Sequence, residues 1–131
     1  MKIPETHIDL FSDEIKAFAF IGTTMDSGKP QVTPVWFDVD GEYISINTAR
    51  GRVKDKNMSA RSDVALAIMD PENPYRYIQV RGKVVKSVEE GARAHIDRLA
   101  RKYLGKNFYP GNPDEVRVTY LIQPESYSTM G

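Results

Sequence analysis

The stretch Gln31-Val-Thr-Pro-Val-Trp-Phe-Asp-Val39, continued by Asp40-Gly41 and Glu42-Tyr-Ile-Ser-Ile-Asn-Thr48, decides the fold. Its first part alternates. Thr33, Val35, Phe37 and Val39 fall on one face, and Val32, Pro34, Trp36 and Asp38 on the other, which is the two-residue period of a strand. Asp-Gly is a hairpin dipeptide, because glycine enters positive φ without a Cβ clash. The second part alternates again, with Ile44 and Ile46 inward and Tyr43, Ser45 and Asn47 opposite. Upstream, residues 19–25 form a weakly polar strand that ends in the turn Asp26-Ser27-Gly28-Lys29. Residues 19–48 therefore read as a three-stranded antiparallel meander.

The same logic extends outward. Ile8, Phe11, Ile15 and Phe18 recur at helical spacing over residues 6–18, as a helix or two short turns. A short polar helix is expected over 52–61. Residues 64–69 are almost continuously apolar, which reads as a strand buried on both faces. Two prolines fix the loop 70–74. A long strand follows over 76–86, with Gly82 marking a bulge or a close backbone approach. Ser87 and Glu90 have capping-box spacing and open a helix to about Leu104. The last full strand is 117–123, and 126–130 adds a short edge piece. Six short strands with hairpin turns and few helices favour a small, mainly β (α+β) antiparallel barrel over an open α/β sheet.

The chain has 131 residues, enough for one domain with its own core. Formal net charge is zero, so no general polyanion-binding field exists and any anion site must be local. Cysteine is absent, which excludes thiolate metal sites, a cysteine nucleophile and disulfides. The N-terminus has no apolar signal core, and no run approaches membrane-spanning length. A cytoplasmic protein is expected.

One local cluster stands out. Thr48-Ala-Arg-Gly-Arg-Val-Lys-Asp-Lys-Asn57 carries Arg50, Arg52, Lys54 and Lys56 where a strand gives way to a helix. Unpaired N–H groups and the helix dipole favour an anion at such a start, and guanidinium groups add bidentate bonds to phosphate. A solvated basic surface is the plainer reading of the cluster by itself. Pro34 lacks a ladder donor, and Trp36 and Phe37 offer a flat wall beside it. Asn73-Pro74-Tyr75-Arg76-Tyr77 reads as a lid or a dimer contact. Conventional catalytic sets are missing: no nucleophile elbow, zinc-helix or phosphate-loop motif occurs. His95 sits at the margin of an apolar helix stripe and reads as structural or exposed. No metal site is expected.

Together these motifs resemble the split β-barrel flavin and deazaflavin oxidoreductases, the pyridoxamine 5′-phosphate oxidase-like superfamily, and in particular its F420-dependent branch. The matching residues are Gly22-Thr23-Thr24 with 28–37, Ile46-Asn47-Thr48 with 52–57, 73–77 with 79–84, His95-Ile96-Asp97 with Leu99 and Lys102-Tyr103, and Pro124-Glu125. The resemblance spans about residues 8–130. It implies a six-stranded split barrel with flanking helices, assembled as a homodimer with two sites at the subunit interface. It implies that Val32, Thr33, Pro34, Val35 and Trp36 lie along a tricyclic ring. Asn47, Thr48, Ala49, Arg52 and Lys54 would hold the cofactor phosphate, with Asn57 closing the same motif. Arg50 and Lys56 would reach that anion or the oligoglutamate tail of coenzyme F420. Tyr75, Arg76 and Tyr77 of the second subunit would close the site.

F420 is favoured over FMN because four basic residues suit a longer polyacid. The expected activity is hydride transfer to an activated double bond of a small planar substrate such as an enone, lactone or quinone. The alternatives are an FMN-dependent oxidase or reductase and a non-catalytic carrier. A nucleic-acid-binding barrel is disfavoured by zero net charge. No catalytic residue is identified; Tyr43, Tyr77 and water are the proton-donor candidates.

Overall fold

The computed structural model describes residues 2–131. A 3₁₀ helix, Glu5–Phe11, precedes β1 (Ala19–Thr24), β2 (Pro30–Val35), β3 (Phe37–Asp40), β4 (Tyr43–Ala49), α1 (Val53–Ala60), β5 (Asp63–Asp70), β6 (Asn73–Val88), α2 (Ala92–Leu104) and β7 (Arg117–Met130). All pairings are antiparallel, in the order β2-β1-β5-β6-β7-β4-β3. The two strands at the ends of that order are consecutive in the chain, with only Trp36 between them. The sheet therefore wraps back on itself as a barrel. Alternate side chains, including Ile21, Phe37, Ile46, Ile68, Ile78, Val118 and Ile122, point inward and are essentially inaccessible. Leu10 and Phe11 from the 3₁₀ helix and Met58 from α1 join the same core.

Seven strands stand where six were expected, and the reason is local. The strand read as 31–39 breaks at Trp36. Its first half pairs with β1 and its second half with β4. Beyond the break, the Phe37 N–H donates to the Tyr103 hydroxyl (3.3 Å) and the Phe37 carbonyl accepts from Lys102 Nζ (3.0 Å). Side chains of α2 thus satisfy backbone groups of the bend.

Other boundaries shift as well. The N-terminal helical segment is a seven-residue 3₁₀ helix that ends at Phe11, short of the expected 18, and it is anchored by His7 Nε2 against the Met130 carbonyl (2.9 Å). Ser87 stays in β6 opposite Tyr120, so the capping box does not form; α2 starts instead from Gly91 at φ 78°. The edge piece at 126–130 is the continuation of β7. Strand β5 is buried on one face only: Val64, Leu66 and Ile68 face the core, whereas Ala65 is exposed. Small and flexible apolar residues hid that alternation. Gly82 fulfils both readings. It adjoins a register shift, and a Cβ there would lie 2.5 Å from the Gln123 carbonyl oxygen. Among the described residues, no helix is long and apolar enough to cross a membrane.

Candidate functional site

Helix α2 lies across the outer face of β4 and β7 and leaves a cleft against the β2–β3 bend. Its volume is about 310 Å³, within the range of small-molecule sites. One wall is apolar: Phe18, Pro34, Val35 and Trp36 from the barrel, Ile96 and Leu99 from α2, and Tyr109 from the following loop. Trp36 leaves the ladder and stacks on Tyr103, with ring centroids 5.4 Å apart and planes 6° apart. Tyr109 meets the other side of this cluster edge-on to Trp36 at 5.9 Å. Tyr103 is itself fixed, because its hydroxyl donates to the Ala17 carbonyl (2.6 Å). Burial raises that phenol well above the usual tyrosine range, so it stays a neutral donor. The indole is held by packing before any ligand arrives.

The opposite end of the cleft is cationic, lined by Arg52, Lys54 and Arg117 with Asn47 between strands and helix. Glu115 bridges Arg52 (2.8 Å) and Arg117 (3.3 Å). Lys54 has only the Thr33 hydroxyl (3.1 Å) and, among the described residues, no carboxylate partner. Three cations thus share one carboxylate. Burial, then repulsion by Arg52 and Arg117, pulls the Lys54 ammonium below the usual lysine range. Burial likewise lowers Arg117, which is fixed by Nε to Asn47 Oδ1 (2.9 Å) and by the Tyr109 ring at 5.1 Å. A half-buried cluster of like charge is electrostatically unsatisfied until an anion enters it. Phosphate suits this donor set, since the guanidinium groups and ammonium all donate and none can accept.

Asp55 shapes the approach to this cluster. Its carboxylate accepts from the Gly51 N–H (2.9 Å), Arg50 Nη1 (3.0 Å) and the Tyr120 hydroxyl (2.5 Å). Burial would raise its pKa, but these three donors hold it below the ordinary range. Asp55 therefore locks the turn that delivers Arg52 and Lys54.

Of the residues singled out in the sequence, Pro34, Val35, Trp36, Asn47, Arg52 and Lys54 meet in the cleft, and Thr33 adjoins it through Lys54. Thr48 and Ala49 are buried beneath. Asn57 is buried too and donates to the Thr23 hydroxyl (3.0 Å). Arg50 lies outside the cleft lining, paired with Asp55 and with Glu89 (2.9 Å). Lys56 is exposed on α1. Val32 and Tyr77 share a different surface, the outer sheet face with Phe20, Ala67 and Met69. Tyr75 is exposed, and Arg76 is held by Asp9 and Asp70. Tyr43 lines another cavity, with Ile3 and Tyr127. Sequence reasoning missed Phe18, Tyr109 and Arg117. Arg117 opens an ordinary-looking strand, and nothing local marks it as a ligand group. No His, Cys, Asp and Glu cluster among the described residues suits a metal.

The lowered ammonium of Lys54 gives a pH prediction. Anion binding needs the protonated lysine, so affinity for phosphate should fall as pH rises through that lowered pKa. Lys54→Arg should move this alkaline limb upward. Phosphate titrations across pH would show it, and an unmoved limb would exclude Lys54 as its source.

The model of the pyridoxamine 5′-phosphate oxidase family matches residues 11–130. Among solved structures, an F420 reductase shares 32% identity at a TM-score of 0.85, over 96% of this chain and 98% of that one. A conserved hypothetical protein of Mycobacterium tuberculosis (18%, TM-score 0.72, 99% and 86% covered) and HupZ of Group A Streptococcus (18%, TM-score 0.68, 98% and 94% covered) share the fold. No curated protein matches the chain.

Proposed function

Because the chain belongs to the pyridoxamine 5′-phosphate oxidase family, we propose that it is a flavin-type oxidoreductase whose cleft binds coenzyme F420. The substrate class that fits this reading is a small planar molecule with an activated double bond, such as an enone, lactone or quinone. The observation that carries the proposal is the convergence of Arg52, Lys54 and Arg117 at one end of an aromatic cleft. That arrangement fits a planar ring joined to a phosphate arm. The similarity to an F420 reductase favours the deazaflavin. FMN is the alternative, since three cations also suffice for a single phosphate.

When bound, the deazaflavin supplies the hydride, and the chain's residues bind and orient. Lys54 and Arg117 neutralise the phosphate, and Arg52, half-exposed at the rim, extends the positive potential outward. Lys56, exposed on α1, is the further charge this reading would leave for an oligoglutamate tail. Arg50 contributes less, because Asp55 and Glu89 already neutralise it. The rigid Trp36–Tyr103 stack forms a preorganised wall that excludes water from one side of the ring.

The proposed assembly is a homodimer through the outer face bearing Phe20, Val32, Ala67, Met69 and Tyr77. An apolar face of this kind on an otherwise charged surface suits a second copy of the chain. Light scattering should give twice the chain mass, and Val32→Asp should give one. For the cofactor, purified protein that is colourless and shifts the fluorescence of added F420 at micromolar or lower concentration supports the proposal. Yellow protein that retains FMN and ignores F420 would replace it with the alternative.

A further inference from the structure

Behind the cationic end of the cleft lies a second group of polar residues, and it is buried. Asp38 on β3 and His95 on α2 are 6% and 4% exposed. His95 Nε2 lies 2.8 Å from Asp38 Oδ1, and Ser45 Oγ donates to the same oxygen at 2.5 Å. Arg98 Nε donates to the other carboxylate oxygen at 3.2 Å. Burial would raise the Asp38 carboxyl, but its donors, His95 first, bring it below the usual range. Asp38 is therefore an ionised acceptor, and the Nε2 atom facing it must carry the proton.

That fixes the other ring nitrogen. In neutral His95, Nδ1 is an acceptor. It lies 3.1 Å from Asn47 Nδ2 and 3.2 Å from the Thr119 hydroxyl. The second hydrogen of the Asn47 amide goes to the Ala92 carbonyl at 2.9 Å. With both amide hydrogens taken on the helix side, Asn47 Oδ1 is turned to Arg117 Nε at 2.9 Å. A reversed amide would set its oxygen against the Ala92 carbonyl and its hydrogens against Arg117. The order runs from an anion, through an imidazole and an amide, to a guanidinium at the cleft.

We infer that His95 is a positioning residue for the anion site: its Nε2–H tautomer, set by Asp38, orients Asn47, and Asn47 aims Arg117 into the cleft. The inference rests on the reading of Arg52, Lys54 and Arg117 as an anion site. Arg117 is a long side chain that, left alone, would sample several rotamers and pair more fully with Glu115. With Nε held on a fixed amide oxygen and Nη1 on Glu115, Nη2 is the nitrogen left for a ligand. The network spans three strands and a helix, so the orientation is built into the barrel rather than created by the ligand.

The test uses inorganic phosphate as the probe, read by the fluorescence of Trp36, the chain's one tryptophan and part of the same cleft. His95→Gln keeps a donor for Asp38 and removes the acceptor at Nδ1. It should keep the wild-type melting temperature within a few degrees and weaken phosphate binding about fivefold, the effect of one such hydrogen bond. Asn47→Leu should weaken it at least as much. In the Asn47→Leu background, His95→Gln should add nothing, because its effect travels through the amide. Nitrogen NMR of the wild-type imidazole should find Nε2 protonated and Nδ1 bare. Additive losses, wild-type affinity in His95→Gln, or a protonated Nδ1 with bare Nε2 would each overturn the inference while leaving the anion site standing. Wild-type protein that does not bind phosphate would overturn the anion site itself, and the inference with it. Should His95→Gln not fold, the wild-type NMR result alone decides.

Discussion

Lys54→Glu should weaken binding of a phosphorylated cofactor by about a hundredfold or more, while leaving the fold intact. The lysine makes one charge-assisted bond to the proposed phosphate, and such bonds contribute about 1.5–3 kcal/mol. Reversing the charge adds repulsion to the ligand and gives Arg52 and Arg117 a second carboxylate, so the hole closes on itself. A combined effect of about 3 kcal/mol corresponds to more than two decades in affinity. Stability should move the other way. In the free protein Lys54 is half-buried among two guanidinium groups and has no carboxylate of its own. Removing that repulsion should leave the melting temperature unchanged or raise it, the signature of a site kept for binding at some cost in stability. Calorimetry and thermal melts on the same preparation would separate the two effects. A large loss of stability would show that Lys54 is part of the scaffold instead.

Asp55→Ala should have the largest effect on stability, about 3 kcal/mol, or a fall in melting temperature of roughly 10 °C for a domain of this size. The buried carboxylate serves three donors at once, and truncation leaves the Tyr120 hydroxyl, the Gly51 N–H and Arg50 without it. Breaking a buried charge network by removing one partner is far more costly than losing an exposed pair. The same change should loosen the turn from Gly51 to Lys54 and so weaken phosphate binding as a secondary effect. Asp55→Asn retains an acceptor and should lose about half as much. Denaturant unfolding would give the values directly, and a loss under about 1 kcal/mol would contradict this role.

Much of the barrel was legible because its signals are local. Asp26-Ser27-Gly28-Lys29 closes a turn in which the Met25 N–H donates to the Lys29 carbonyl at 2.8 Å, and Gly41 sits in the β3–β4 turn at φ 61°. Of the basic run at 50–56, Arg52 and Lys54 line the cleft, and Arg50 and Lys56 do not. What stayed hidden depends on partners far away in sequence. The break at Trp36 is made by Lys102 and Tyr103, 65 and 66 residues on from Phe37. Four cations in a row look alike on paper. Only the positions of Glu89 and Asp55 separate Arg50, already paired, from Lys54, which is not. His95 looked like the edge of an apolar stripe because Asp38, Ser45 and Asn47 reach it from two strands of the barrel. The apolar outer face of β5 was read as a second buried face, which is what the proposed subunit contact would make it.

The most direct test of the central claim pairs a ligand change with a protein change. F420 and the same deazaflavin chromophore without its phosphate arm and tail would be titrated into wild type and Lys54→Ala. If the cationic end holds the phosphate, the truncated chromophore should bind both proteins equally, and only F420 should lose affinity in the variant, by about tenfold or more. Equal losses for both ligands, or none for F420, would contradict the account.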